Sequence, residues 1–397
     1  MRTLPLLCSV AALFILQAAS AANISNGVAI WNYSTFFPTQ VQQQSCTSSM
    51  GYVYCIGGFI LSSYGINVTN STFYAALTSN GFGSWIASEP YPVAVQSSSC
   101  VAANGYLYCI GGFLSNFTVK SGNITMKELQ HSNQTYFAPL TDSGIGAFLS
   151  STPYPMAASG LECVPGNGYI YCGGAGSAYY APISSNGIGT WNEATNNSAP
   201  MQNSYCSSFN GYIYCISASM VGNASSAYYA RLSGTGIGAW QVATPYPALI
   251  NKLNAPYSCP IYDGYIYCIT SYEAAGTPYI YDAYYAKVSD SGIGPWSLMH
   301  YPALLQDPDC MAHAGYLYCS GFNDNVYSND SSTDYAALYS KILIAPYVSP
   351  IIAQLQALHF PILLLVVIVV IIIIVSFLVY FYNARRPRLL YRLKEEK

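Results

Sequence analysis

Twelve of the 13 cysteines have a spacing that points directly to chemistry. They form six pairs whose members are nine positions apart: Cys46 and Cys55, Cys100 and Cys109, Cys163 and Cys172, Cys206 and Cys215, Cys259 and Cys268, and Cys310 and Cys319. Thiols can bind zinc, but paired zinc ligands usually have only two to four residues between them. Each pair is therefore predicted to close on itself as a disulfide, the chemistry expected of an exported segment.

Other residues that could perform catalysis or bind a ligand are few. The four histidines do not have the spacing of a metal pair, and the few acidic residues of the repeats show no carboxylate cluster by position. The chain is therefore predicted to be non-catalytic and to have no metal or other cofactor. An Asx-rich stretch could bind Ca²⁺ through its oxygens, but it lacks the EF-hand order and is interpreted as an Asx-rich turn: Asn323, Asp324, Asn325, Asp330 and Asp334.

One charged segment is a candidate ligand-binding loop. Residues 113–135 hold Lys120, Lys127, Glu128 and His131 in a chain with only 7% charged residues. A solvated loop with no ligand is the alternative interpretation.

Each cysteine pair flanks a dipeptide suited to a tight turn. The dipeptides are Met50-Gly51, Asn104-Gly105, Asn167-Gly168, Asn210-Gly211, Asp263-Gly264 and Ala314-Gly315. Asn-Gly and Asp-Gly tolerate the positive φ angles of a type I′ turn, so each pair is predicted to flank a β-hairpin. Counting outward from the turn places the cysteines in a non-hydrogen-bonded pair, where the Cα atoms are close enough for a disulfide.

The hairpin is part of a longer repeat. A Tyr-rich strand such as Tyr179-Tyr180-Ala181 follows the second cysteine, and a Gly turn then leads into a Gly-Ile-Gly-x-Trp strand that ends at Trp191 in this copy. The six copies begin 43 to 63 residues apart. Four short strands per copy at this period predict blades of a β-propeller rather than helical repeats.

The two ends of the repeat array complement each other. The sixth copy has its third strand predicted at Asp334-Tyr335-Ala336 and lacks a fourth strand, whereas residues 26–31 match the missing turn and Trp strand. The fold class is therefore predicted to be all-β, a six-bladed β-propeller of four-stranded antiparallel blades with one disulfide per blade. The N-terminal strand would close the ring and remove exposed sheet edges.

The strand Tyr-x-Tyr-Cys-Ile-Gly-Gly at residues 52–58 and 106–112, followed by a Tyr strand and a Trp, resembles the kelch repeat. The resemblance covers roughly residues 26–338 and implies a propeller fold. It departs from the pattern because paired cysteines are not a kelch hallmark, the Tyr-to-Trp spacing is longer, and only three copies have the diglycine. A copper-radical oxidase of kelch-like kind would need Tyr and His ligands and a free Cys that this sequence does not offer.

A second resemblance concerns the turn before the fourth strand. Asp142-x-Gly144 and Asp290-x-Gly292 are similar to the Asp-box turn of sialidase-like propellers. Four of the six copies lack this Asp, so the motif is interpreted as turn chemistry.

The two termini predict export and membrane anchoring. Residues 1–21 have the charge, apolar run and A-x-A site of a signal peptide, and residues 360–382 are apolar enough to form a transmembrane helix. The basic tail, residues 383–397, predicts a type I orientation in the cell membrane, with the tail in the cytoplasm. Residues 22–338 would form the extracellular propeller, and residues 339–359 a juxtamembrane linker.

Charge and sequons describe the predicted exterior. A formal net charge of -3 with sparse Lys and Arg excludes a nucleic-acid partner. Such sparse charge also predicts adaptation to an acidic exterior. Nine N-x-[ST] sequons fall in loops and connectors on the predicted outward face: Asn32, Asn67, Asn70, Asn116, Asn123, Asn133, Asn196, Asn223 and Asn329.

Together these features predict a cell-surface protein that binds an extracellular glycan or protein without chemically changing it. The membrane and this unidentified ligand are its expected partners. A structural component of the cell envelope or a surface layer is the first alternative. A carbohydrate-active enzyme of sialidase-like propeller type is the second.

Overall fold

A computed structural model describes residues 32–35, 37–39, 41–62, 65–121, 124–174, 176–194, 199–202, 204–217, 226–247, 258–272, 280–299, 306–322 and 341–346. The chain divides into a unit over Val28–Tyr347 and a second unit made of both chain ends. The second unit lies outside the described residues, as do the predicted signal peptide, transmembrane segment and tail. Within the described part, no helix combines the length and apolarity needed to cross a membrane.

The described part is built from β-strands, with one 3-10 turn at Ala199–Met201. The strands as far as the second unit of the repeat are β1 (Asn32–Tyr33), β2 (Ser45–Ser49), β3 (Tyr52–Ile56), β4 (Phe59–Ser62), β5 (Gly65–Val68), β6 (Thr72–Thr78), β7 (Gly81–Phe82), β8 (Ile86–Ala87), β9 (Val95–Gln96), β10 (Ser99–Ala103), β11 (Tyr106–Ile110), β12 (Phe113–Ser121), β13 (Ile124–His131), β14 (Thr135–Thr141), β15 (Gly144–Ile145) and β16 (Leu149–Ser150). The later strands are β17 (Glu162–Gly166), β18 (Tyr169–Gly174), β19 (Ser177–Ser184), β20 (Gly187–Ile188), β21 (Asn192–Glu193), β22 (Ser204–Phe209), β23 (Tyr212–Ser217), β24 (Ser226–Ser233), β25 (Gly236–Ile237), β26 (Gln241–Val242), β27 (Ile261–Tyr262), β28 (Tyr265–Tyr272), β29 (Ile280–Ser289), β30 (Gly292–Ile293), β31 (Ser297–Met299), β32 (Gln306–His313), β33 (Tyr316–Phe322) and β34 (Lys341–Pro346).

Six antiparallel sheets follow the six copies of the repeat, which confirms the all-β prediction. In the first sheet the order is β2, β3 and β6, and the short strands β7 and β8 share the outer edge of β6. The second to fifth sheets repeat this order, beginning at β10, β17, β22 and β27. The predicted fourth strand is therefore two short segments, because the chain leaves the edge between them at residues such as Gly83.

All six hairpins and all six disulfides are confirmed. In five of the hairpins the two cysteines are directly paired across the strands. Cys259 and Cys268 lie just beyond the paired residues of β27 and β28. In all six disulfides the Cα atoms are 4.1 to 4.2 Å apart. The first turn residue has a φ near 50° even where it is Met50 or Ala314. Hairpin geometry therefore imposes the left-handed conformation at these two positions, which carry no Asn or Asp.

Buried tyrosines join successive sheets. The second Tyr of the Tyr-x-Tyr-Cys motif is fully buried, and its hydroxyl donates to a carbonyl at the end of the third strand of the next sheet. The pairs are Tyr54 with Thr141 (3.1 Å), Tyr108 with Ser184 (2.9 Å), Tyr171 with Ser233 (2.7 Å), Tyr214 with Ser289 (2.9 Å) and Tyr318 with Thr78 (3.0 Å). The last pair joins the sixth sheet to the first.

Aromatic residues of the connectors also pack between sheets. Buried Tyr154 meets Trp191 of the next sheet edge-on, with ring centroids 5.0 Å apart, and Tyr246 meets Trp296 at 5.1 Å. Phe37, which follows β1, meets Trp85 of the first sheet in the same way at 4.6 Å. The Tyr and Trp content of the repeat therefore forms the packing between sheets.

The sixth sheet differs from the predicted assignment of its third strand. Its order is β32, β33, β34 and β1, and Cys319 lies opposite Leu343 of β34 rather than a tyrosine. The predicted third strand, residues 334–336, lies outside the described residues. The aliphatic run Ile342–Ile344 has the strand propensity that this position requires.

Strand β1 occupies the outer edge of the sixth sheet, whereas the predicted closing strand at residues 26–31 lies outside the described residues. Asn32 and Tyr33 of β1 pair with Ile344 and Leu343 of β34. The residue that follows β1, Ser34, accepts a hydrogen bond from the Phe82 N–H of the first sheet at 2.7 Å. The chain therefore contributes strands from both of its described ends to one sheet.

Candidate ligand-binding site

A polar cavity of about 750 Å³ lies where the first strands of the sheets converge. All six units contribute lining residues, including their first cysteines and the residues just before and after them. Hydroxyl groups predominate among the polar lining residues: Ser45, Thr47, Ser48, Ser97, Ser98, Ser99, Tyr205, Ser207, Ser208, Ser258 and Ser320. The sequence predicted the cysteines as disulfides but predicted no cavity, because it does not specify how the sheets face one another.

The residue immediately before the first cysteine has the same role in several units. We call it the clasp position, and its occupants are Ser45, Ser99, Glu162, Tyr205, Ser258 and Asp309. In two serine clasps, Ser45 and Ser258 accept the backbone N–H of Cys100 and Cys310 of the next sheet, at 2.9 and 3.0 Å.

Two carboxyl clasps repeat this contact with acidic side chains. Glu162 accepts the Cys206 N–H through Oε2 at 3.3 Å, and Asp309 accepts the Cys46 N–H through Oδ2 at 3.2 Å. Because Asp309 belongs to the sixth sheet and Cys46 to the first, the second of these contacts joins the two ends of the repeat array.

The cavity makes the two carboxyl groups weak acids. Each retains a partly exposed surface, but that surface faces the cavity, and protein surrounds the carboxyl group. Burial raises the pKa of Glu162 to about 8, against the opposing effect of its amide hydrogen bond, and the charge of Asp309 raises it further. Burial likewise raises the pKa of Asp309 to about 7, and its amide hydrogen bond again opposes the shift. Near neutral pH both groups therefore exchange protons readily.

The chemistry that this lining can perform is hydrogen bonding and proton exchange. Among the described residues that line the cavity, none is Lys, Arg or His. No group of three or more His, Cys, Asp or Glu side chains that could hold a metal ion occurs in the described ranges. A hydroxyl-rich ligand would find many donors and acceptors here, and a cationic group would find two carboxyls.

The edge of the cavity is formed by connectors that hydrogen-bond to one another. Gly160 N–H donates to the Ser97 carbonyl at 3.0 Å, and Ser97 N–H donates to the Gln43 carbonyl at 3.0 Å. All three residues have positive φ and line the cavity. These connectors therefore form the edge of the cavity on the side opposite the tight hairpin turns.

Close packing at this side explains the diglycines. A Cβ on Gly58 would lie 2.3 Å from Cγ1 of Val41, and one on Gly111 would lie 2.6 Å from the Ala158 carbonyl oxygen. Gly58 N–H donates to the Val95 carbonyl at 2.7 Å. Glycine is needed here because connector backbone approaches the strand end directly.

The predicted ligand-binding loop is a β-hairpin rather than an irregular loop. Strands β12 and β13 pair along most of their length and form a separate three-stranded sheet with β9, which carries the backbone of Lys120, Lys127, Glu128 and His131. The exposed His131 packs its ring against Phe113, with centroids 4.5 Å apart. His131, whose side chain the structure describes, is not among the residues that line the cavity.

The structure describes five of the nine predicted sequons. Asn67, Asn70 and Asn133 are exposed. Asn67 lies within β5, and Asn32 and Asn116 lie within β1 and β12. The remaining four, Asn123, Asn196, Asn223 and Asn329, lie outside the described residues, as does the Asx-rich stretch 323–334.

Sequence reasoning missed Glu162 and Asp309, although a signal for them exists. Aligning the six units on their first cysteine puts both acids in the same column, which otherwise holds Ser or Tyr. A titratable residue at a position that faces the convergence of all units would have marked the cavity.

Comparisons with known proteins leave the family open. No protein-family model matches this chain, and a search of curated proteins finds no match.

Proposed function

We propose that the chain is a membrane-anchored extracellular recognition protein, a six-bladed kelch-like propeller whose central cavity binds the end of a glycan without catalysis. The main support for this proposal is the hydroxyl-rich cavity, to which all six units contribute. Sugars are recognised through many directed hydrogen bonds, and a lining of serine hydroxyls supplies both donors and acceptors. A protein segment inserted into the cavity is the other ligand class within this proposal.

Contacts between the first and sixth sheets support the closed ring. The Cys46 to Asp309 and Tyr318 to Thr78 hydrogen bonds both join these sheets, and Ser34 contacts Phe82 beside them. They repeat the contacts between successive sheets elsewhere in the array. A closed ring leaves only short outer edges open to other chains.

Location and orientation come from the sequence. The apolar segment 360–382 with its basic tail supports a single-pass anchor, and the signal peptide supports export. The six disulfides are typical of proteins that fold in an oxidising compartment. We infer that the sequons carry glycans and that the connector side of the propeller faces outward.

A glycan array probed with the detergent-solubilised full chain tests the function. The variant Ser99→Trp places a large ring at the cavity wall and should abolish specific binding. Ser150→Trp makes the same substitution at an exposed position of β16, outside the cavity, and should bind like the wild type. Equal binding by both variants would overturn the cavity as the site. Absence of any ligand together with ordered two-dimensional assembly would favour the envelope-component alternative.

The two carboxyl groups that line the cavity favour glycoside hydrolysis as a second candidate function. Hydrolases of this class use one carboxylic acid with a raised pKa and one carboxylate. Incubation of the arrayed oligosaccharides that bind, followed by a reducing-end assay, separates the two. Product that disappears in Glu162→Gln would support hydrolysis, whereas unchanged ligand supports recognition alone.

A further inference from the structure

The clasp position combines two kinds of acceptor with different responses to pH. A serine hydroxyl does not titrate in the physiological range, so a serine clasp holds its amide at any pH. A carboxyl clasp accepts the same kind of amide, at distances of 3.2 to 3.3 Å, but its acceptor changes charge with pH. The two carboxyl clasps join the third sheet to the fourth and the sixth to the first.

The surroundings oppose ionisation of both carboxyl groups. Glu162 and Asp309 line the same cavity, where the only other titratable side chain among the described lining residues is the phenol of Tyr205. Lys, Arg and His are missing from that described lining. When both acids ionise, two negative charges face one cavity with no counter-ion from the protein, and each loses hydration.

We propose that Glu162 and Asp309 form a pH-sensitive device that holds neighbouring sheets together around the cavity in acid and loosens them as the pH rises. Neutral carboxyl groups accept the Cys206 and Cys46 amides without placing charge in the cavity. Ionised groups repel each other and draw water toward the sheet junctions. Serine clasps hold the junctions of the first sheet with the second and of the fifth with the sixth throughout, so these two junctions should not respond to pH in this way.

The direction of the linkage follows from protons bound in each state. Unfolded Asp and Glu titrate near 3.8 and 4.5, whereas burial raises the pKa of Asp309 to about 7 and that of Glu162 to about 8. Between these limits the folded chain holds protons that the unfolded chain has released. The stabilisation is therefore complete below about pH 4 and is lost as the pH rises through 7 and 8.

Hydrogen exchange of the full chain in detergent provides the local test. Labelling at pH 5, 7 and 9, with times corrected for intrinsic exchange, should show that protection of β2 and β22 falls by at least roughly threefold relative to β10. Strand β10 carries the Cys100 amide, which a serine clasp holds, and serves as the internal control. Parallel loss in all three strands would overturn the proposal.

A double variant separates this device from general acid stability. Glu162→Ser with Asp309→Ser installs the residue that other units use at the clasp position, so the amide acceptors are retained. We expect the wild-type Tm to fall by roughly 3 to 8 °C from pH 5 to pH 9 and the double variant to lose most of this dependence. Glu193→Gln, at an exposed site on β21 outside the cavity, should keep the wild-type profile. A double variant that folds but retains the wild-type dependence of Tm on pH would refute the proposal. If the double variant does not fold, hydrogen exchange of β2 and β22 in the wild-type chain decides the question.

Discussion

The backbone N–H of Cys46 donates to Oδ2 of Asp309 at 3.2 Å, across 263 positions of sequence. This contact lies at the junction of the first and sixth sheets and at the wall of the polar cavity. It resembles the contact that Ser45 makes one junction further on, where its hydroxyl accepts the Cys100 N–H at 2.9 Å. The same backbone amide of the repeat is thus satisfied by a hydroxyl in one unit and by a carboxyl in another.

The first prediction concerns the acceptor itself. Asp309→Ala should lower the free energy of unfolding by about 1 to 3 kcal/mol at pH 4, because the Cys46 N–H loses its acceptor inside the sheet junction. Asp309→Ser should recover most of that loss, since serine supplies an acceptor at this position in other units. Urea unfolding of the full chain in detergent measures both. Equal losses for the alanine and serine variants would show that the hydrogen bond is not the cause.

A second prediction concerns the tyrosine hydroxyls between sheets. Tyr171→Phe should cost about 1 to 2 kcal/mol, because the Ser233 carbonyl loses the donor that lies 2.7 Å away. Tyr180→Phe is the matched control, since Phe137 occupies the equivalent position in the second sheet and stacks in the same way. Denaturant unfolding should place the control within about 0.5 kcal/mol of the wild type. A control as unstable as Tyr171→Phe would contradict the assignment.

The third prediction separates steric contact from backbone strain at glycine. Gly58→Ala should cost several kcal/mol, because its Cβ would lie 2.3 Å from Cγ1 of Val41 at a φ of +94°. Gly105→Ala also has a positive φ, +78°, but its Cβ would meet nothing within 4 Å, so it should cost only about 1 kcal/mol. Thermal unfolding of the two variants gives the difference. Similar costs would mean that the connector moves aside at Gly58.

Local features of the repeat could be predicted, whereas contacts between units could not. Disulfides and hairpins depend on residues within nine positions of each other, so turn chemistry and cysteine spacing suffice for them. The carboxyl clasps join residues 44 and 263 positions apart, and their formation depends on how whole sheets face one another. A pattern in one unit contains no information about that orientation.

The structure departs from the sequence prediction in two segments. The charged segment 113–135 was expected to be a loop, but alternating apolar residues, Phe117 and Val119 before the turn and Ile124 and Met126 after it, favour the observed hairpin. In the sixth sheet, similarity to the Tyr strands of the other units predicts the third strand at residues 334–336. The strand that pairs with β33 is instead β34, which has an aliphatic sequence.

A fourth prediction concerns the disulfides. Replacing Cys163 and Cys172 together by Ala should cost about 2 to 3 kcal/mol through the entropy of the unfolded chain. Replacing Cys46 and Cys55 together by Ala is the matched control, because this disulfide closes a loop with the same separation of nine. Any further loss in the Cys163 and Cys172 variant reports packing, since Cys163 is buried whereas Cys46 is half-buried. Urea unfolding without reductant measures both variants, and unchanged stability in both would contradict a stabilising role.

The last prediction distinguishes the two roles of one sequon. Asn133 is exposed, but the Thr135 of its sequon is buried, and the Thr135 hydroxyl donates to the Thr152 carbonyl at 2.8 Å. In a secreting host that attaches N-linked glycans, Asn133→Gln should remove one glycan mass and leave the unfolding free energy nearly unchanged. Thr135→Val should remove the same glycan and also about 1 kcal/mol of stability, because the connector carbonyl loses its donor. Intact-mass measurement and denaturant unfolding test both effects, and a wild-type Asn133 that carries no sugar would leave Thr135 with its structural role alone. The equivalent Thr72 of the Asn70 sequon donates to the Glu89 carbonyl at 2.7 Å, so this hydrogen bond gives the threonine of both sequons a structural role that does not depend on glycosylation.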